Sequence, residues 1–477
     1  MSTREDEWLE TEFQKIEKGM YDKDKTGSFA KGNKKEMLPK KAPTPRKRIA
    51  SIKKPDASLN YVEWLSIIQA NFPDLLFAAE LGVSIMAQIL ITDISNPFAL
   101  VLVGVPSSGK TIVLNFFADI DELTYASDKF TPASFVSNAA NVNKEKLPEI
   151  DLLPRLQYRL FLIRDLATLF SKREEDLNEC LGILTRVLDG EGLNTDTGVH
   201  GQRGYAGDFI FMLLAASTPP PQRIWRTMGS LGSRLFFYNL NSKDKSEFEL
   251  ASQLGATTHK DKEMSCRKAT ALLLQTLWSQ YPEGITWDSD RDDQELKLII
   301  ARCAKLLACL RGVVNVESYK DGKDQKYKFT TPLIEKPDRI SQLLYNLCRG
   351  HALVSGRQQI NKEDVLLAIE IAIDSAPINR TKVLRKLLGT SEGVSSADVE
   401  KILNCSKPTA LLVMETLEIL GVGVSKEGSN GEVGRPEKIL TLGEEFRWFI
   451  TDECAEIRGI DRTINKEKSP LYEDGEQ

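Results

Sequence analysis

The chain has 477 residues, of which 41% are hydrophobic and 27% are charged, a composition ordinary for a soluble globular protein of about two to four domains. Because the formal net charge is −5, the chain as a whole has no overall electrostatic attraction to nucleic acid. Seven scattered cysteines without a C-x-x-C pair, with only three histidines, argue against a structural zinc site and predict reduced thiols in a cytoplasmic protein.

The N-terminal region predicts neither a secretory signal nor a membrane anchor. The first residues, "MSTREDEWLE", are charged, so no signal peptide is visible. The longest apolar segment, "LLFAAELGVSIMAQILI", is interrupted by Glu80 and Gln88 and is too short for a comfortable bilayer span.

A basic arm is predicted over residues 1–57. Between Lys31 and Lys54 the chain has ten Lys or Arg, one Glu and three Pro. Such a segment cannot bury enough apolar surface to fold by itself. Two interpretations stay open: a solvated linker, or an electrostatic tether to nucleic acid.

A glycine-rich loop lies within "FALVLVGVPSSGKTIVL", which runs from Phe98 to Leu114. It has the spacing G-x-x-x-x-G-K-[ST], with a strand predicted before it and a helix after it, as a phosphate-binding loop requires. The two glycines permit a tight turn that aims N–H groups at a polyphosphate; the lysine can reach the β- and γ-phosphates and the threonine can bind Mg²⁺. The alternative is a turn that binds nothing. The pattern predicts contacts to ATP from Gly104, Pro106, Ser107, Ser108, Gly109, Lys110 and Thr111, and to Mg²⁺ from Thr111.

A second buried strand is predicted in "RLFLIRD", where the apolar residues 160–163 suit a strand covered on both faces. Asp165 then lies at the carboxyl end of this strand, the edge at which open α/β sheets bind ligands. A phosphate-loop protein needs an acid there to face the magnesium ion. Asp165 is therefore the predicted catalytic and metal-binding carboxylate. The alternative is an N-cap for the helix that "LATLF" begins.

Several patterned stretches follow in chain order. A helical pattern, "DLNECLGILTRVLDGEG", leads to the glycine-rich "LNTDTGVHGQRGYAGD" and then to the apolar strand "FIFMLLAAST". After "MGSLGSRLFFYNL", the region 241–330 contains helical patterns with apolar residues three and four apart, which predicts packing against the core. "NVESYKDGKDQKYKFTTP" predicts a charged hairpin with a DG turn, to which no function is assigned.

The composition changes after Asn379, and the C-terminal region predicts a winged helix-turn-helix. "NRTKVLRKLL", "SSADVEKIL" and "KPTALLVMETLEILG" predict three helices, and "VGVSKE" and "PEKILTL" predict the two strands of a wing. In DNA-bound winged helices the third helix enters the major groove and the wing contacts the backbone. The acidic Glu415 and Glu418 favour the alternative, a protein-contact module. The predicted DNA contacts are Lys407, Thr409, Lys426, Arg435 and Lys438.

From the phosphate loop onward, the order of these stretches resembles that of AAA+ ATPases, over residues 60–240 and 330–375. The chain is most similar to the helicase and ATPase group of bacteria and mobile elements that resembles the minichromosome-maintenance helicases. Those proteins direct a pre-sensor-1 hairpin into a central DNA channel, and "TDTGVHGQRGYAG" resembles that hairpin. The predicted tip of this hairpin has His200, Arg203 and Tyr205, and a basic residue beside an aromatic one suits contact with DNA, so Arg203 is a predicted DNA contact. An ordinary exposed hairpin is the alternative.

The same resemblance assigns four more residues to nucleotide chemistry. The strand "FIFMLLAAST" resembles sensor 1, which implies that Ser217 or Thr218 faces the γ-phosphate. "MGSLGSRLFFYNL" resembles the arginine-finger segment, so Arg234 is expected to complete the site of a neighbouring subunit in a ring or spiral. The alternative for Arg234 is an ion pair at a domain edge. "EKPDRISQLLYNLCRGHALVSGRQQINKEDVLLAIEIA" resembles the helical lid, with Arg339 in the sensor 2 position against ATP.

The chain departs from the AAA+ pattern at the end of the second strand. AAA+ strands end there in two acids, one that helps hold Mg²⁺ and one that polarises the attacking water, whereas this chain has Arg164-Asp165. If Asp165 takes the second position, it is the base and Arg164 replaces the Mg²⁺-side acid. If Asp165 takes the first position, Leu166 occupies the base position and hydrolysis is slow.

The sequence therefore predicts an α/β fold, an AAA+ P-loop NTPase domain with a helical lid, plus a C-terminal winged helix-turn-helix domain. The predicted function is a homo-oligomeric ATPase that couples ATP hydrolysis to DNA remodelling or translocation, without a membrane partner. The alternatives are a nucleotide-dependent regulator that binds DNA or protein with slow hydrolysis, and an ATP-driven protein remodeller. The predicted boundaries are the arm at 1–57, the ATPase core at 58–240, the lid with an insertion at 241–388, the winged helix at 389–453 and a flexible tail at 454–477.

Overall fold

Short apolar runs separated by helices form the central sheet, as expected for an α/β protein. The computed structural model describes residue 52 and residues 54–137, 144–197, 201–232, 234–240, 245–253, 258–321, 324–390, 392–428 and 437–459. All of these residues belong to one compact unit that begins at Lys41.

The first half of the described chain contains all five strands of the central sheet, and its elements follow in order. They are α1 (Tyr61–Asn71), α2 (Leu76–Ala87), β1 (Ala99–Val103), α3 (Lys110–Asn115), β2 (Thr124–Ser127), α4 (Pro132–Phe135), α5 (Leu147–Ile150), α6 (Leu152–Leu156), β3 (Leu160–Ile163), α7 (Ala167–Phe170), α8 (Glu174–Val187), β4 (Gly192–Thr197), β5 (Gly201–Ala206), β6 (Met212–Ser217), α9 (Gln222–Leu231) and β7 (Leu235–Asn239). The sheet is parallel with the order β2-β3-β6-β1-β7, and β4 and β5 form a separate antiparallel hairpin.

The second half is mainly helical and contains a small three-stranded sheet before its last helix. Its elements are α10 (Glu247–Gln253), α11 (Thr258–Gln280), α12 (Gln294–Arg311), β8 (Val316–Asp321), β9 (Asp324–Phe329), α13 (Asp338–Val354), α14 (Lys362–Asp374), α15 (Ile378–Leu388), β10 (Val394–Ser395), α16 (Ser396–Leu403), α17 (Lys407–Ile419), β11 (Gly423–Gly428), β12 (Glu437–Leu442) and α18 (Asp452–Arg458). Strands β8 and β9 form the predicted charged hairpin.

Both faces of the central sheet are buried, because alternate residues of each strand join two different apolar clusters. Leu100 and Leu102 of β1 pack with α1, α2 and the helices α11 to α14. Val101 and Val103 pack on the opposite face with α8 and α9. The first cluster continues to Ile457 in α18, so the helices after residue 258 share one core with one face of the sheet.

Residues 378–459 form a C-terminal module of four helices and a three-stranded sheet with the order β10-β12-β11. The predicted signals at its helix ends are confirmed. Ser395 and Asp398 form a capping box at the start of α16. Pro408 lies in the first turn of α17, and Gly421 follows the end of that helix with a φ of +73°. The sequence did not predict β10, which is only two residues long.

The apolar segment Pro73–Leu90 has the length and composition of a membrane span, yet 83% of it is buried inside the protein. Its closest neighbour is α13. A Cβ at Gly350 would overlap the backbone carbonyl of Ser84, so the backbones of α2 and α13 touch only because residue 350 is glycine. The segment is a core helix.

Glu80, which interrupts this apolar segment, belongs to a buried triad of charged side chains. His351 of α13 lies between Glu80, whose Oε1 is 3.0 Å from Nε2, and Asp364 of α14, which contacts Nδ1. Tyr61 donates a hydrogen bond to Glu80, and Arg357 donates two to Asp364. The triad therefore joins α1, α2, α13 and α14 through one polar network in the core.

The charges of the triad shift its pKa values in opposite directions. Burial acts to lower the pKa of His351, but hydrogen bonds and negative charge from Asp364 and Glu80 outweigh burial and raise it. Burial acts to raise the pKa of Asp364, but its bonds to His351 and Arg357 reverse the effect and lower it. Stabilisation from His351 is thus complete below its unfolded-state pKa of about 6.5 and is lost as the pH rises through the folded-state pKa; stabilisation from Asp364 is lost only as the pH falls through its lowered pKa.

We expect His351→Gln to lower the free energy of unfolding more at about pH 6 than at about pH 9, because the pKa of His351 is raised in the folded state and its stabilisation is lost as the pH rises. Urea unfolding of both proteins at the two pH values measures this difference. His259→Gln, a change at an exposed histidine, is the control. Equal losses at both pH values would contradict the prediction.

Strand β7 forms one edge of the sheet, and side chains from the second half of the chain cover that edge. Ser375 Oγ accepts a hydrogen bond from Phe237 N at 2.6 Å, and Asp374 Oδ2 accepts one from Asn239 N at 2.9 Å. Arg311 Nη2 donates to Leu235 O at 2.7 Å. These bonds satisfy the backbone groups that an edge strand leaves unpaired, so β7 cannot pair with another strand.

We expect Ser375→Ala to reduce the free energy of unfolding by about 1–3 kcal/mol, because it leaves the buried N–H of Phe237 without its acceptor. Chemical denaturation measures the loss. Ser355→Ala is a matched control, since Ser355 Oγ is buried without a hydrogen-bond partner among the described residues and its removal should cost little. A loss at Ser355 as large as that at Ser375 would contradict this account.

Candidate functional site

The glycine-rich loop (residues 104–109) connects β1 to α3 at the carboxyl edge of the sheet. Gly109 has a φ of +90°, and a Cβ there would lie 2.8 Å from a methyl carbon of Leu75. Ser107 also has a positive φ, +67°, which is uncommon for a residue other than glycine. The loop is fixed to the sheet at its start, where Gly104 N donates to Ser217 O of β6 at 3.2 Å. Local conformation and tight packing thus define the shape of the loop.

The side chain of Lys110 closes over this loop. Its Nζ donates hydrogen bonds to Gly104 O and Val105 O, both at 2.7 Å, and to Ser108 Oγ at 3.2 Å. Burial lowers the pKa of Lys110, and the negative charge of Asp165 partly offsets this effect. The ammonium group therefore lies over the loop and within electrostatic reach of a carboxylate.

Asp165 lies at the carboxyl end of β3, as predicted, and its side chain is exposed. Its Oδ1 accepts a hydrogen bond from Ala167 N at 2.8 Å, at the start of the short helix α7. The N-cap of α7 is Leu166, which makes no side-chain capping bond, so Asp165 is not the N-cap of the alternative interpretation. The bond from Ala167 uses one carboxylate oxygen and leaves the charge of Asp165 near Lys110.

Arg164, the basic neighbour of Asp165, turns toward a different strand. Its Nη1 lies 3.6 Å from Asp128 Oδ1 at the end of β2, and both side chains are more than half exposed. Leu166 is buried and its N–H donates to Ala216 O of β6 at 2.8 Å. Asp165 is therefore the carboxylate among residues 164–166, and Leu166 cannot polarise a water molecule.

The residues predicted as sensor 1 differ in exposure. Ser217 ends β6 beside β1, is 1% exposed, and its Oγ donates to Thr218 O at 2.7 Å. Thr218 is exposed at the carboxyl edge of the sheet, as is Thr111 at the start of α3. Among the predicted site residues, Thr218, Thr111 and Ser107 are the ones with exposed hydroxyl groups at this edge.

The two arginines assigned to nucleotide chemistry meet at one carboxylate, away from the loop. Arg234 is buried and donates to Asp189 Oδ1 from Nε at 3.1 Å and from Nη2 at 3.0 Å. Arg339 Nη2 lies 4.0 Å from the same oxygen. Arg234 precedes β7, whose Leu235 pairs with the first residue of β1, so it lies about 15 Å from the loop end of these strands. Both arginines lie at the amino edge of the sheet in their own chain.

Arg203 and Tyr205 contact the body of the protein on one side of the hairpin β4–β5. Arg203 Nη1 donates to Ser137 O at 2.9 Å, and Tyr205 OH donates to Asp151 Oδ2 at 2.7 Å. Asp151 Oδ1 also accepts from Ser137 N at 2.8 Å, which connects the two contacts. Burial and the bond to Asp151 raise the pKa of Tyr205. Arg203 pairs with Thr195, two pairs before the turn, and His200 lies outside the described residues.

The predicted DNA contacts of the C-terminal module divide into exposed and paired residues. Lys407 and Thr409 are exposed at the start of α17, and Lys426 is exposed on β11. Lys438 Nζ lies 3.2 Å from Glu418 Oε2 and 3.7 Å from Glu415 Oε1. The basic side chain on the wing therefore neutralises the acidic part of the third helix. Arg435 lies outside the described residues.

Sequence reasoning missed three residues that shape these sites. Asp189 receives both arginines, Asp151 connects the hairpin to the body, and Leu75 packs against Gly109. Asp189 had a weak signal, because it precedes a glycine at the end of a predicted helix. Leu75 and Asp151 had none, since their partners lie tens of residues away in the chain.

No family model matches the chain, and no curated protein matches it. One similar solved structure is titled "The A form apo structure of NrS-1 C terminal region-CTR"; it is 13% identical over 84% of this chain and 79% of that chain, with a TM-score of 0.26. A likeness this weak carries no argument about fold or function.

We expect Asp189→Asn to lower the free energy of unfolding by about 2 kcal/mol or more, because it leaves the buried guanidinium of Arg234 without a counter-charge. Asp128→Asn breaks the exposed pair with Arg164 and should cost less than about 1 kcal/mol. Urea unfolding of the two variants beside the wild type measures the contrast. A loss at Asp189 no larger than that at Asp128 would show that the pair contributes little.

Proposed function

We propose that the chain binds ATP with Mg²⁺ at the glycine-rich loop and hydrolyses it as an AAA+ ATPase. The observation that carries the proposal is the position of Lys110 and Asp165. A cation that contacts the loop carbonyls faces a carboxylate on another strand, at the edge where open α/β sheets bind ligands. This combination suits a polyphosphate and its metal ion.

The residues at this edge fit ATP and Mg²⁺ chemically. Gly104 and Gly109 lack the Cβ atoms that would collide with Ser108 and Leu75, so the backbone has the tight shape that a phosphate cradle needs. The Thr111 hydroxyl and the Asp165 carboxylate are oxygen ligands, which Mg²⁺ prefers. Bound Mg²⁺ would neutralise charge on the phosphates, while Lys110 orients them and Thr218 supplies a hydroxyl nearby.

The order of the strands and helices supports the proposal of an AAA+ ATPase with a winged helix. The strand that ends in Asp165 is separated from β1 by β6, so that Asp165 and Ser217–Thr218 approach the loop from the same side. Helices α13 and α14, which the resemblance assigns to the lid, share the apolar cluster on one face of the sheet. Within the C-terminal module, the helices α15, α16 and α17 precede the strands β11 and β12, the order of a winged helix-turn-helix. Arg234 would act on the nucleotide of a neighbouring subunit in a homo-oligomer, and Arg339 would contact ATP as the sensor 2 residue.

DNA is the proposed partner, and the cytoplasm is the proposed location. Lys407, Thr409 and Lys426 are exposed and could contact the phosphate backbone. Arg203 and Lys438 would first have to exchange their contacts to Ser137 and Glu418. The first three residues are therefore the more accessible DNA contacts.

One observation favours a second candidate, a nucleotide-dependent regulator with slow hydrolysis. Position 164 is an arginine that pairs with Asp128, and Leu166 is buried. The end of β3 thus provides one carboxylate for two tasks, metal binding and activation of water. An enzyme that lacks one of these groups turns over slowly.

The test measures ATP binding and turnover with and without single- and double-stranded DNA. Wild-type protein should bind ATP with Mg²⁺, and Lys110→Ala should weaken binding by about tenfold or more, since it removes a cation from the phosphates. Lys268→Ala, at an exposed lysine of α11, is the control. Turnover stimulated by DNA supports the ATPase, and slow turnover with nucleotide-dependent DNA affinity supports the regulator. Absence of ATP binding would overturn both.

The variant Asp165→Asn should distinguish the role of Asp165 in Mg²⁺-dependent turnover from the binding of ATP by the glycine-rich loop. We expect ATP binding without Mg²⁺ to be nearly unchanged, while Mg²⁺-dependent turnover falls by at least about a hundredfold, because the only carboxylate of residues 164–166 is lost. Arg164→Gln, which changes the neighbouring residue, should retain turnover within about tenfold if Asp165 alone serves the reaction. Turnover unaffected by Asp165→Asn would remove this residue from the proposed site.

A further inference from the structure

The strand beside the glycine-rich loop is held by a carboxylate from the second half of the chain. Asn239 of β7 pairs with Val103, the last residue of β1 before the loop, and Leu240 N donates to Val103 O at 2.7 Å. Asp374, the last residue of α14, accepts the N–H of Asn239 at 2.9 Å. Movement at the start of the loop therefore reaches Asp374 through one strand pairing.

The same carboxylate contacts the C-terminal module. Asp374 Oδ1 accepts from Arg385 of α15, from Nη2 at 2.6 Å and from Nε at 3.2 Å. Arg385 Nη2 also donates to Glu370 Oε2 at 3.1 Å, and Arg458 of α18 donates to Glu370 Oε1 at 3.0 Å. Two acids and two arginines thus connect β7 with the first and last helices of the module.

Asp374 depends on Arg385 for its charge. The carboxylate side chain is 3% exposed, whereas Arg385 is 30% exposed. Burial raises the pKa of Asp374, and Arg385 opposes this effect. Displacement of Arg385 would leave an uncompensated buried charge, which is costly in a protein interior. The position of α15 and the ionisation of Asp374 are therefore linked.

The segment that connects α14 to the C-terminal module is also short. Only residues 375–377 separate α14 from α15, and Ser375 within them accepts the N–H of Phe237. The module has a second anchor at α12, where Arg380 Nη1 donates to Leu310 O and Gly312 O, both at 2.7 Å. A shift of β7 thus acts on α15 near its fixed end, and Arg385 lies at the other end of that helix.

We propose that Asp374 couples the glycine-rich loop to the C-terminal module, so that nucleotide at the loop changes the stability of α15 and α18. The inference rests on the proposed function, because it needs a nucleotide at the loop. Coupling between two binding sites is reciprocal, so a ligand of the module must change nucleotide affinity by the same factor.

Hydrogen–deuterium exchange of the full-length chain tests the coupling, with and without Mg²⁺ and a non-hydrolysable ATP analogue. We expect the nucleotide to slow exchange in peptides that cover 378–388 and 452–458 by about fivefold or more. Asp374→Asn keeps an acceptor for Asn239 but loses the charge that Arg385 binds, so it should abolish this response while the loop still binds nucleotide. Arg385→Lys, which keeps the charge but not the two-bond geometry, should weaken it.

The exposed pair Lys362–Glu456 provides a matched control, because it also joins α14 to α18 but lies at 3.4 Å with side chains 50% and 70% exposed. Glu456→Gln should leave the response unchanged. Nucleotide binding without any change of exchange in α15 and α18, or a full response in Asp374→Asn, would overturn the coupling and leave the proposed function standing. Absence of nucleotide binding in the wild type would overturn both.

Discussion

Burial of the parallel sheet on both faces is the constraint on which the rest of the structure depends. Once α1, α2 and the later helices cover one face and α8 and α9 cover the other, a ligand can approach the sheet only at its edges and ends. The β7 edge is closed by Arg311, Asp374 and Ser375. The carboxyl ends of the strands form a polar rim. Lys110, Asp165 and Thr218 lie at this rim, the edge at which open α/β sheets bind ligands.

Features with local causes were predictable from the sequence. The glycine-rich loop follows from its own spacing, Asp165 from the apolar run before it, and the helices of the C-terminal module from caps such as Ser395. The shared core was not predictable, because it depends on contacts between distant residues. The indole of Trp64, for example, donates to Thr270 Oγ1 at 3.0 Å across 206 positions of sequence. Such a pair leaves no periodic pattern in either segment.

At the candidate site, too, the contacts within a short stretch of sequence were predictable, whereas the contacts between distant residues were not. A motif indicates that a cation is present, but it does not indicate which acid will neutralise it in the folded chain. Arg234 was expected to face a neighbouring nucleotide and is held by Asp189, and Lys438 was expected to face DNA and is held by Glu418. In contrast, Lys110 contacts the backbone of its own loop, so its position follows from residues only a few places away.

The glycine at position 350 has a consequence for how the core could change over time. The touching backbones of α2 and α13 bring Glu80 within reach of His351. Any side chain at position 350 would push these two helices apart and leave the carboxylate of Glu80 without His351 in an apolar core. A related protein in which Gly350 is replaced must therefore also replace Glu80 and His351, so these three positions should change together in evolution.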